Sequence, residues 1–136
     1  MRAANKVLLV EDNHDIREVF AMILATFGYD VTECAEGLTA IEKATELRPD
    51  VAIIDVGLPD IDGFGVACGL RELEMQRGQG ERAILVALTG RDGAPTRRQT
   101  RKAGFDLYFT KPVELKTIHA DIQTRVAERT LQRDAA

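Results

Sequence analysis

The sequence predicts a doubly wound α/β domain on a five-stranded parallel sheet, with five helices. Three observations carry that prediction. Apolar runs of strand length alternate with amphipathic stretches of helix length five times along 136 residues. The runs Val7–Val10, Val51–Ile54 and Ala83–Leu88 are apolar at every position, so helices must cover both faces of their sheet, as in parallel α/β proteins. Gly28, Pro49, Gly63 and Gly104 punctuate the boundaries between runs.

Each element has its own signal. After the first strand, Ile16, Val19, Phe20, Ile23, Leu24 and Phe27 are spaced as one helix face, and Gly28 supplies the stop. A short second strand near Asp30 to Cys34 leads to a helix carrying Ala40, Ile41, Ala44 and Leu47. Pro49 blocks continuation, and the third strand begins at Val51. Asp62-Gly63 marks a turn before a helix with Val66, Leu70 and Leu73 on one side. The polar stretch from Arg77 to Glu81 reads as a loop before the fourth strand, and a helix from about Ala94 to Ala103 follows. The fifth strand is short, Leu107–Thr110, and the last helix carries Leu115, Ile118, Ile122 and Val126. Residues Gln132 to Ala136 are expected to fray.

Bulk composition narrows the class. The length fits one domain with a proper core, taken as 1–136 with a core of about 5–128. A net charge of −4 argues against nucleic-acid binding. No apolar stretch approaches the roughly 18 residues that span a bilayer, and the start lacks a signal-peptide pattern, so a cytoplasmic location is expected. Cys34 and Cys68 have neither metal-ligand spacing nor the density of a disulfide framework and read as buried small hydrophobes.

The chemistry lies where the apolar runs end. Glu11 and Asp12 close the first, Asp55 the third, Thr89 the fourth, and Lys111-Pro112 the fifth. Neighbouring parallel strands bring these groups to one carboxyl edge, where open α/β sheets bind ligands. Taken singly, each is an ordinary strand-end residue; the coincidence of all of them is the signal. Two carboxylates about 4 Å apart repel by about 4 kcal/mol at an intermediate dielectric. A Mg²⁺ ion relieves that repulsion and prefers hard oxygen ligands. Glu11, Asp12, Asp55 and the Gly57 backbone carbonyl are the candidate ligands. Asp55 is the candidate nucleophile towards phosphorus, with Thr89 and Lys111 as donors to the phosphoryl oxygens.

Val7 to Asp12, Ile53 to Gly63, Leu88-Thr89-Gly90 and Lys111-Pro112 together resemble the receiver domain of two-component response regulators, over about residues 5 to 128. The resemblance implies a flavodoxin-like sheet of order 2-1-3-4-5. It implies phosphorylation of Asp55 from a histidine kinase, a phosphotransfer protein or a small phosphodonor, with Mg²⁺ held by Glu11 and Asp12. Thr89 and Lys111 then contact the phosphoryl group, and Thr89 with Tyr108 forms the switch. The implied role is a signalling switch, not a metabolic enzyme, that catalyses its own phosphorylation and dephosphorylation. It also implies a cis bond at Lys111-Pro112.

Departures and rivals complete the reading. Leu58 stands where the resembled family most often has methionine. Gly57 and Arg91 occupy positions that set acyl-phosphate lifetime there, and they push in opposite directions. Arg97, Arg98, Arg101 and Lys102 read as a solvated basic face, with docking of an acidic partner as the functional alternative. His14 and His119 are expected at the surface. The alternative function is a phosphorylation-independent interaction module. An aspartyl phosphatase is weaker, because it resembles a pattern with a second aspartate where Gly57 stands. A flavin protein is weaker too, because Glu11-Asp12 would repel its phosphate. The downstream partner is unassigned, and the chain reads equally as a stand-alone regulator or as a receiver from a longer protein.

Overall fold

The computed structural model describes residues 5–58, 60–78, 80, 82–90 and 97–135. Five strands form one parallel sheet: β1 (Lys6–Val10), β2 (Asp30–Cys34), β3 (Val51–Asp55), β4 (Ile84–Thr89) and β5 (Leu107–Thr110), in the order β2-β1-β3-β4-β5. The connecting helices are α1 (His14–Thr26), α2 (Gly37–Leu47), α3 (Gly63–Arg77), α4 (Arg97–Lys102) and α5 (Leu115–Ala135). Ala94 to Thr96, the start of the expected fourth helix, lie outside the described residues.

Strand alternation divides the core in two. Leu8, Val10, Ala52, Ile54, Leu85 and Ala87 pack with Ala40 and Ala44 of α2 and Val66, Ala67 and Leu70 of α3. Val7, Leu9, Val51, Ile53, Val86 and Leu88 pack with Leu24 of α1 and Leu115, Ile118 and Ile122 of α5. Each central strand is therefore covered on both faces, which is why its sequence is continuously apolar.

Three expectations are corrected. On α1 only Leu24 is fully buried; Ile16, Val19 and Ile23 are 37, 52 and 39% exposed, because the helix lies over the sheet with that flank outward. Cys68 is exposed, its Sγ 3.7 Å from the Ala103 carbonyl, whereas Cys34 is buried as expected. His119 is half-buried: its ring stacks on Phe27 at 4.5 Å between centroids, and its Nδ1 lies 2.6 Å from the Tyr29 hydroxyl. His14 is exposed as expected. α5 runs to Ala135, so it includes Gln132 to Ala135 of the stretch expected to fray, and Ala136 lies outside the described residues.

Candidate functional site

Parallel pairing aligns the candidate residues at one edge. Val10 pairs with Ile54, Asp55 with Leu88, and Thr89 with Thr110, so the strands carrying them stop nearly abreast. Backbone bonds continue past the strand ends. The Glu11 N–H donates to the Cys34 carbonyl at 3.0 Å, Val56 N–H to Leu88 at 3.0 Å, and Lys111 N–H to Thr89 at 2.7 Å. The Lys111-Pro112 bond is cis, as expected.

The loops after the strands are held by short-range chemistry. Asn13 caps α1 by accepting from the Ile16 N–H at 3.0 Å. Asp62 caps α3 by accepting from the Gly65 N–H at 2.9 Å. Gly63 lies against the end of β3: a Cβ there would sit 2.6 Å from Val56 Cα and 2.9 Å from the Asp55 carbonyl oxygen. Only glycine permits α3 to start this close to Asp55.

Glu11, Asp12 and Asp55 each offer a carboxylate oxygen, and these atoms lie within 4.8 Å of one another. Glu11 is only 2% exposed. Lys111 Nζ is 2.9 Å from Glu11 Oε1 and 3.6 Å from Asp55 Oδ2. Burial pushes the Glu11 carboxyl above its ordinary range, and the Asp55 charge adds to this, although Lys111 and the Asn13 N–H oppose it. Burial would lower the Lys111 pKa, but the hydrogen bond to Glu11 and the Asp55 charge outweigh it and hold the ammonium protonated. Three carboxylates against one ammonium leave the cluster short of positive charge. That all-oxygen set, with Asp12 open to water, fits a hard divalent cation such as Mg²⁺. The Thr89 hydroxyl oxygen is buried and has no hydrogen-bond partner among the described residues, a donor for an incoming oxyanion.

The Gly57 N–H donates to Asp55 Oδ1 at 3.1 Å, and a Cβ on Gly57 would stand 3.9 Å from that oxygen, so this flank of Asp55 is open. Tyr108 is half-buried on β5, with the Arg97 guanidinium carbon 5.6 Å from its ring centroid. Arg91 lies outside the described residues. Two contributors escaped the sequence reading. Arg17, one turn into α1, donates from Nη1 to the Glu11 carbonyl at 2.9 Å and lies 3.4 Å from Glu33. Asp60 accepts from the Gly37 and Leu38 N–H groups at 2.9 Å each, capping α2 in place of Glu36, whose side chain makes no capping bond. A basic residue one turn past Glu11-Asp12 was a visible hint for the first; nothing local marks the second.

The model of the response regulator receiver domain matches residues 7–123 of this sequence. This chain belongs to that family. The receiver domain is 33% identical over 131 residues to the response regulator MprA of Mycobacterium tuberculosis, covering 96% of this chain and 54% of that protein. It thus spans about half the length of the curated relatives it matches. Among solved structures it resembles the receiver domain of the sensor histidine kinase PA1611 from Pseudomonas aeruginosa PAO1, which has magnesium coordinated in its active-site cleft. That match has 31% identity and a TM-score of 0.76, covering 90% of this chain and 97% of that one. It also resembles the Saccharomyces cerevisiae complex of the phosphotransfer protein Ypd1 with the receiver domain of Ssk1. There the values are 27% identity and a TM-score of 0.79, covering 87% and 86%. The receiver fold and family place this domain in phosphorylation-controlled two-component signalling.

Proposed function

We propose that Asp55 is the phosphoacceptor of this receiver domain, and that a histidine kinase or a histidine phosphotransfer protein in the cytoplasm is the donor. An Asp55 carboxylate oxygen attacks phosphorus, a P–O bond forms as the P–N bond of phosphohistidine breaks, and the imidazole leaves. The single observation that carries this reading is the Lys111 ammonium set 2.9 Å from Glu11 and 3.6 Å from Asp55. There it can follow Asp55 as that carboxylate becomes an acyl phosphate and meet the added oxygens. Glu11, Asp12, Asp55 and the Gly57 carbonyl would hold Mg²⁺, which supplies countercharge for the phosphoryl oxygens when bound. Thr89 would donate its buried hydroxyl to one of those oxygens, and the open flank beside Gly57 admits water for later hydrolysis.

Phosphorylation adds about −1.5 to −2 charges at neutral pH. The domain responds only if one of two conformations meets that charge better. Thr89 and Tyr108 would couple the phosphoryl group to the α4–β5 surface, where Arg97 already contacts the Tyr108 ring. The test is intact mass after incubation with acetyl phosphate and Mg²⁺. One added phosphoryl group that requires Mg²⁺ and disappears in Asp55→Asn is expected; equal labelling of that variant sinks the assignment.

A further inference from the structure

Glu11 and Asp12 stand where the chain leaves β1, so their carboxylates meet Asp55 only while the backbone that carries them is held. Glu11 is fixed at each of its polar groups. Its N–H donates to the Cys34 carbonyl of β2 at 3.0 Å. Its Oε1 accepts from Lys111 Nζ at 2.9 Å, and its Oε2 accepts from the Asn13 N–H at 3.2 Å. Its carbonyl oxygen accepts from Arg17 Nη1 at 2.9 Å. The first and third bonds come from backbone, and Lys111 faces Asp55 as well. Arg17 is the side chain that no step of the proposed transfer uses.

Arg17 ties three segments together. It lies one turn into α1, where its N–H donates to the Asn13 carbonyl at 2.9 Å. Its side chain, 14% exposed, spans from the Glu11 carbonyl to Glu33 on β2, with Nε 3.4 Å from Glu33 Oε1. A planar guanidinium can serve both acceptors at once; an ammonium on the same stem serves one. Removing this group has two effects of opposite sign. A cation near carboxylates opposes Mg²⁺, so charge alone predicts tighter binding without Arg17. Loss of the bond to the Glu11 carbonyl frees the turn and predicts weaker binding. Glu33 offsets the guanidinium charge, so the second effect wins.

We propose that Arg17 is a positioning residue of the metal site, holding the Glu11-Asp12 turn so that the cluster takes Mg²⁺ tightly. This rests on the assignment of Mg²⁺ to Glu11, Asp12 and Asp55. The test is a Mg²⁺ titration of the unphosphorylated ¹⁵N-labelled domain, followed by NMR at the amides of Glu11, Asp12 and Gly57. Arg17→Met should raise the dissociation constant about tenfold, equivalent to about 1.4 kcal/mol. Arg17→Lys keeps the charge and one donor and should raise it only about threefold; it carries the test if the methionine variant fails to fold. Labelling of Asp55 by acetyl phosphate should recover in both at saturating Mg²⁺, the signature of lost metal binding and not of lost chemistry. Mg²⁺ binding that is unchanged or tighter in the variants overturns the proposal and leaves the metal assignment standing. Labelling that stays slow at saturating Mg²⁺ overturns it too. A wild-type domain whose amides do not respond to Mg²⁺ overturns the metal assignment itself, and the role of Arg17 with it.

Discussion

Replacing Lys111 by methionine removes the counter-ion of two carboxylates at once. The ammonium lies 2.9 Å from Glu11 and 3.6 Å from Asp55, with its own side chain 28% exposed and that of Glu11 3% exposed. Breaking a fully buried ion pair costs about 3–5 kcal/mol. Water reaches Lys111, which reduces that figure, so a loss of about 2–3 kcal/mol is expected at pH 7 without Mg²⁺. In urea this is a midpoint lower by about 1–1.5 M, at a slope of about 2 kcal/mol/M. The Glu11 carboxyl is already raised by burial, so its favourable contribution is full at low pH and is lost as pH rises through its folded value. Without Lys111 it rises further. The deficit of the variant therefore shrinks as pH falls from neutral through the raised Glu11 value, and shrinks also when Mg²⁺ supplies the missing charge. A deficit that is absent, or unchanged by both pH and Mg²⁺, refutes the reasoning.

Thr89→Val keeps the side-chain shape and removes a buried hydroxyl that has no partner among the described residues. The unphosphorylated domain should gain about 1 kcal/mol in urea unfolding, while the phosphorylation-dependent change at α4 and β5 disappears from NMR spectra. Gly63→Ala places a Cβ 2.6 Å from Val56 Cα; a loss of about 1–3 kcal/mol from overpacking, with slower labelling of Asp55, is expected. The Leu38 and Gly37 N–H groups hold the Asp60 carboxyl down at about 2. Its stabilisation is therefore present at neutral pH and lost as pH falls from about 4 towards 2. Acid unfolding followed by circular dichroism should lack that part of the pH dependence in Asp60→Asn.

Most of the fold was legible because strands buried on both faces leave continuous apolar runs, and because Gly28, Pro49 and Gly104 stand where helices must stop. The site was legible for a related reason: in a parallel sheet, whatever follows each strand lands on the same edge, so Glu11, Asp12, Asp55, Thr89 and Lys111 could be grouped before folding was known. Periodicity failed where coverage decides. The spacing of Ile16, Val19 and Ile23 marks a helix flank, but not whether a neighbour reaches it, and these residues are exposed. His119 carries no local sign of burial because Phe27 and Tyr29, its partners, are about 90 residues distant. Asp60 caps a helix that begins 23 residues earlier in the chain. Such contacts depend on the packed arrangement of loops, which no short spacing encodes.

The central claim is that the phosphoryl group sits on Asp55, and locating it chemically tests that most directly. Borohydride reduces an acyl phosphate of aspartate to homoserine. After labelling with acetyl phosphate and Mg²⁺, reduction and proteolysis should give homoserine at position 55 with Glu11 and Asp12 intact. Homoserine at position 12, or a stable phosphoester elsewhere with position 55 unmodified, would contradict the account.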